Sequence, residues 1–74
     1  MKRERIFTGM SRRVAVRTTR RWGGSVEPRK GTGEVVFRHP AQQRPVVMNN
    51  RRKDTSREVV SWLRELDVSL AGAR

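Results

Sequence analysis

The chain has no cysteine among its 74 residues. Disulfides and zinc–thiolate sites are therefore excluded as supports for a small core. Because secreted domains of this size usually carry disulfides, the absence points to a reducing cytoplasm. A single histidine leaves no ligand set for a transition metal, so no metal and no other cofactor is expected. Aromatic residues are scarce, with two Phe, two Trp and no Tyr. No apolar run approaches the roughly 20 residues that cross a bilayer. The basic opening stretch is followed by no apolar core of a signal peptide, so export is not expected either. No catalytic triad, paired-carboxylate site or dinucleotide fingerprint can be assembled.

Acids are the other shortage. Seven Asp and Glu face eighteen Lys and Arg, for a net charge of +11. The excess is uneven: residues 1–30 carry ten bases and two acids, residues 31–53 five bases and one acid, and residues 54–74 three bases and four acids. Self-repulsion at this density opposes folding, but meeting phosphates releases their counterions, the usual source of affinity for nucleic acid. Fifteen of the bases are Arg, whose planar, weakly hydrated fork suits phosphate and base stacking. RNA is the expected partner, with an acidic protein second and no membrane.

A chain this short forms one domain and buries only around 60% of its unfolded surface. Hydrophobic residues make up 34% of it. They cluster as Val35-Val36-Phe37, Val46-Val47-Met48 and Val59-Val60 with Trp62-Leu63, which a disordered chain would not do. A flexible basic arm is expected over 1–10, one domain over 11–70, and a frayed end over 71–74.

Ser11 can cap a helix from Arg12 to Trp22, stopped by Gly23-Gly24. Val14, Thr18 and Trp22 would share one face with Ala15 beside them, and five arginines would cover the rest. The β-branched run from Val14 to Thr19 argues locally for a strand, but the length and the terminator favour helix. Ser25–Lys30 and Glu34–Pro40, joined by Gly31-Thr32-Gly33, read as a hairpin, with Pro28 demoting its first strand to an edge. Pro45–Asn49 makes a third strand. After the basic loop Asn50–Asp54, Thr55-Ser56-Arg57-Glu58 has the capping-box form, with Thr55 the expected N-cap. Val59, Leu63, Leu66 and Leu70 follow at helical spacing with Trp62 adjoining. The fold class is α+β, in the order α-β-β-β-α, with both helices on one face of a three-stranded antiparallel sheet. The other face is expected to be bare and basic, a surface suited to nucleic acid.

The run Glu34-Val35-Val36-Phe37-Arg38-His39-Pro40, the strand Pro45-Val46-Val47 and the loop ending Lys53-Asp54 resemble the HicA-type toxins. The resemblance covers roughly residues 11–67. It implies a double-stranded-RNA-binding-domain-like fold, messenger-RNA cleavage and an antitoxin partner. The family's hairpin turn usually reads Gly-Ser-His, with that histidine taken as catalytic. Aligning Phe37-x-His39-Pro40 puts Gly33 at the serine position and Glu34 at the histidine position, so the usual histidine is missing.

Metal-free RNA cleavage needs a base for the 2′-hydroxyl, an acid for the leaving oxygen and cations for the phosphorane. Glu34 as base and His39 as acid are the candidates, although an odd spacing points them to opposite faces of a regular strand. The plainer readings are a surface carboxylate facing arginines for Glu34 and a strand-end histidine bonded to water or a carbonyl for His39. Gly31-Thr32-Gly33 reads as a turn, and Trp22 as core. The nucleic-acid-binding candidates are Arg29, Lys30, Arg38 and Arg44 along the hairpin, with Arg51, Arg52 and Lys53 gripping the backbone beside a helix N-terminus. Three readings follow: a non-catalytic RNA binder of HicA type, an active metal-independent ribonuclease toxin, or a module that docks an acidic, antitoxin-like protein.

Overall fold

The computed structural model describes residues 6–72. The order is α1 (Arg12–Arg21), β1 (Ser25–Arg29), β2 (Glu34–Arg38), β3 (Val46–Asn49) and α2 (Arg57–Gly72). The strands form one antiparallel sheet in the order β1-β2-β3. The expected α-β-β-β-α architecture is the one observed, with element ends moved by one or two residues.

Ser11 caps α1, its Oγ accepting from the Val14 N–H at 3.2 Å. The helix stops at a Schellman turn. Gly24 N–H donates to the Thr19 carbonyl at 2.9 Å, and Gly23 N–H to the Arg20 carbonyl at 3.1 Å. Gly23 takes φ +93°, a left-handed conformation that a side chain disfavours. Gly24 is required for space, because a Cβ there would lie 2.5 Å from the Arg38 carbonyl oxygen. The α1 end can thus sit directly on the end of β2, and tertiary contact overrides the β-branched propensity of VAVRTT. Thr19 as well as Thr18 is fully buried, the Thr19 hydroxyl donating to the Ala15 carbonyl at 2.8 Å.

Alternation along the strands decides the two sheet faces. Val26 pairs with Phe37 and Val35 with Met48, and all four are buried under the helices. From α2, Val59, Val60, Trp62, Leu63 and Leu66 complete the core, and Leu70 packs at its margin. Phe37 and Trp62 meet edge-to-face at 6.3 Å. Trp62 also reaches outward, its indole N–H donating to the Arg44 carbonyl at 2.9 Å, so the β2–β3 loop is pinned to α2. Pro28 lies on an edge strand as expected. Its neighbour on the same edge, Val26, has its carbonyl satisfied by the Arg20 guanidinium at 3.2 Å, which blunts that edge against further strand pairing.

Three expectations are corrected. Thr55 is not the cap of α2. Ser56 is, with its Oγ accepting from Val59 N–H at 3.4 Å and its carbonyl from Val60 N–H at 3.0 Å. Thr55 is committed elsewhere: its N–H donates to the Met10 carbonyl at 2.8 Å and its side chain is buried. The second correction concerns the arm. Met10 is a core residue at 1% exposure and Ile6 packs against that core, so tight packing begins before residue 11. Residues 1–5 and 73–74 of the expected flexible ends lie outside the described residues. The third is that the open sheet face is not basic. Glu27 and Glu34 share it with Arg29 and Arg38 around Val36 and Val47, because the same alternation that buries Val35 and Phe37 turns both acids outward.

Candidate nucleic-acid interface

The basic residues that matter are gathered at one end of the molecule by three backbone contacts. The segment before α1 runs antiparallel to the segment before α2, with a bridge between Ser11 and Asp54 and a hydrogen bond from Arg12 N–H to the Lys53 carbonyl at 2.9 Å. The Asn50 N–H donates to the Gly33 carbonyl at 2.9 Å, fastening the β3–α2 loop to the β1–β2 turn. The Arg12 guanidinium then spans the loop, donating to Asn50 Oδ1 at 2.9 Å and to the Arg52 carbonyl at 3.2 Å. Within the loop, Asn49 accepts from Arg51 N–H at its side-chain oxygen (2.8 Å) and from Arg52 N–H at its carbonyl (3.2 Å).

The result is a shallow cleft of about 390 Å³ lined by Ser11, Arg12, Arg13, Arg51, Arg52 and Lys53. The hairpin turn bearing Lys30 adjoins it through the Asn50–Gly33 bond. Arg13, Lys30, Arg51, Arg52 and Lys53 are exposed, and their side chains have no partner among the described residues. Arg29 is partly neutralised by Glu34 at 3.9 Å. Asp54 is the other carboxylate nearby, exposed beside Lys53. The first turn of α1 contains no acid to oppose the positive end of the helix dipole.

Of the candidates named from sequence, Arg29, Lys30, Arg51, Arg52 and Lys53 are brought to this end. Arg38 and Arg44 are not, since they lie at the opposite end of β2 and in the β2–β3 loop. Arg12 and Arg13 are the addition that sequence reasoning missed. On a helical wheel they are two more solvent-facing arginines, and only the docking of Ser11 against Asp54 reveals their place.

Glu34 and His39 are held apart. Glu34 begins β2 at the basic end, whereas His39 follows Arg38 at the other end. Five residues of strand separate them, about 16 Å between backbones. Both ring nitrogens of His39 are engaged: Nδ1 accepts from Ala41 N–H at 2.9 Å, and Nε2 lies 2.7 Å from the Trp22 carbonyl. The Ala41 bond requires an unprotonated Nδ1, which assigns the proton to Nε2 and makes it the donor to Trp22. His39 therefore ties the C-terminal end of α1 to the end of β2. A hollow of about 390 Å³ there contains Arg38, His39 and Pro40, with Gly23 and Gly24 on its far wall.

No group of three His, Asp or Glu side chains among the described residues can hold a metal ion, and no described helix is long and apolar enough to cross a membrane. No protein family, curated protein or solved structure matches this chain.

Proposed function

We propose that this chain binds RNA through the basic end built from Arg12, Arg13, Lys30, Arg51, Arg52 and Lys53, and does so without cleaving it. The observation that carries the reading is the convergence of the α1 start, the β1–β2 turn and the β3–α2 loop. Five cations there have no partner among the described residues, on a backbone fixed by the Arg12–Asn50 and Asn50–Gly33 hydrogen bonds. An ordered cluster of unpaired arginines loses little entropy when it meets phosphates, and it releases their counterions. The choice of RNA over DNA rests on the resemblance to HicA-type toxins in Phe37-x-His39-Pro40 and Lys53-Asp54. The absence of cleavage rests on the separation of Glu34 from His39 and on the two bonds that occupy the His39 ring.

The surface makes the binding tolerant of sequence. Of the four aromatics, Phe37 and Trp62 are buried, Trp22 is half-buried and Phe7 is 47% exposed, but none of the residues lining the cleft is aromatic. Within the cleft, affinity therefore comes from the backbone of the nucleic acid rather than from stacked bases. Incubating the purified protein with end-labelled RNA, scoring retention and cleavage together, tests the reading. Retention of intact RNA is the expected result. Cleavage without added metal would instead establish the ribonuclease reading, and retention by an acidic protein but by no nucleic acid would establish the interaction module.

A further inference from the structure

The open face of the sheet has a charge pattern unlike that of the basic end. In the strand register its outward residues form three rows: Ser25 beside Arg38, then Glu27, Val36 and Val47, then Arg29, Glu34 and Asn49. Two acids and two bases make the face neutral on a chain of net charge +11. Val36 and Val47 lie at its centre, Val47 at 38% exposure. With Pro28, Pro45 and Arg38 they line a concavity of about 310 Å³.

An acidic macromolecule has little reason to choose this face over the basic end, because its charges already cancel. A second copy of the same face does. We infer that two copies of this chain pair through their open sheet faces with the β2 strands antiparallel across the interface. In that arrangement a two-fold axis in the plane of the interface, perpendicular to the strands, sets Val36 on Val36 of the second copy. The ends of β2 are exchanged, so Arg38 of each copy faces Glu34 of the other, twice per dimer. A parallel arrangement would oppose Arg38 to Arg38 and Glu34 to Glu34, and would also bring the two basic ends together. The same axis sets Glu27 on Glu27 of the second copy, one like-charge contact against two Arg38–Glu34 pairs. Charge complementarity thus still selects the antiparallel form, which leaves the basic ends pointing in opposite directions.

Strand spacing and rise give a face of roughly 14 by 16 Å, well under the roughly 800 Å² per partner of a standard stable complex. The association is accordingly weak and concentration-dependent. It is independent of the polyanion reading, since Arg13, Arg51, Arg52 and Lys53 are not on this face.

Sedimentation velocity from about 10 µM to 1 mM, with amide chemical shifts followed over the same range, tests the pairing. A reversible dimer is expected, with concentration-dependent shifts at Val36, Val47 and Arg38. Arg38→Glu and Glu34→Arg each raise the dimer dissociation constant by about tenfold or more, through like-charge opposition. The double swap, with the net charge of the parent, restores it. Arg38→Glu is the sharper of the two, because it lowers the net charge and would favour association if bulk repulsion alone governed. A monomer throughout the range overturns the inference, as does a dimer indifferent to both single swaps. Shifts at Val36 and Val47 that depend on added RNA and not on protein concentration also overturn it, and assign the face to nucleic acid.

Discussion

The Arg12 guanidinium donates to Asn50 Oδ1 at 2.9 Å across 38 positions of sequence, while the Asn50 N–H donates to Gly33. One asparagine thereby joins the first turn of α1, the β3–α2 loop and the β1–β2 turn. Arg12 acts as a strut, since two of its donors are spent on protein acceptors. Replacing Asn50 by Ala removes no cation yet releases the loop. We expect amide exchange of residues 50–53 to accelerate and RNA affinity to fall by about three- to tenfold, the worth of roughly one hydrogen bond, with the salt slope unchanged. An Asn50→Ala protein with unaltered exchange in the loop would show that the backbone bonds alone hold it.

The salt dependence itself is a count of contacts. If the basic end binds as proposed, its five cations without a partner among the described residues should give a slope of log affinity against log salt of about −3.5 on single strands and about −4.5 on a duplex, a loss of about one hundred- to five-hundredfold between 50 and 200 mM. Lys53→Ala or Arg51→Ala should each reduce the slope by about 0.7 to 0.9, whereas Arg44→Ala, at the other end of the molecule, should leave it as it is. Fluorescence anisotropy with a labelled oligonucleotide measures all three. A slope that falls equally for Arg44 and Lys53 would move the interface off the basic end.

The helix stop of α1 has two glycines with different reasons. Gly23→Ala forces a side chain into φ +93° and is expected to cost about 1 kcal/mol. Gly24→Ala puts a methyl 2.5 Å from the Arg38 carbonyl and 2.9 Å from Thr19 Cγ2, so α1 must lift from the end of β2. That change is expected to exceed 2 kcal/mol, as overpacking against backbone does. Urea denaturation of the two variants should rank them in that order, and the reverse order would contradict the packing of α1 on β2.

Much of this was legible in the sequence, for identifiable reasons. Gly23-Gly24, Ser11 and the period of Val59, Leu63 and Leu66 are local signals, and each element they mark exists. Pro28 marks an edge strand because a missing N–H is tolerable only there. What was not legible is long-range. The alternation that exposes Glu27 and Glu34 beside Arg29 and Arg38 was present in the strands, yet its charge balance emerges only once the register pairs them. Arg12 and Arg13 join Arg51–Lys53 through a bridge between Ser11 and Asp54 that no short-range pattern announces.

The one local signal that pointed to the wrong residue offers the cleanest test. Thr55-x-x-Glu58 has the form of a capping box, but the first α2 carbonyl acceptor and the capping oxygen both belong to Ser56. The Thr55 hydroxyl is buried with no partner among the described residues. A cap is worth about 1 kcal/mol and a buried unpaired hydroxyl costs about 1–3 kcal/mol. Ser56→Ala should therefore destabilise by about 1 kcal/mol. Thr55→Val, which exchanges the orphaned hydroxyl for a methyl of similar size, should leave stability unchanged or raise it by about 1 kcal/mol. Were Thr55 the cap, the two substitutions would trade effects, with Thr55→Val losing and Ser56→Ala neutral. Urea midpoints of the two single variants, compared at equal slope, decide whether Thr55 or Ser56 caps the helix.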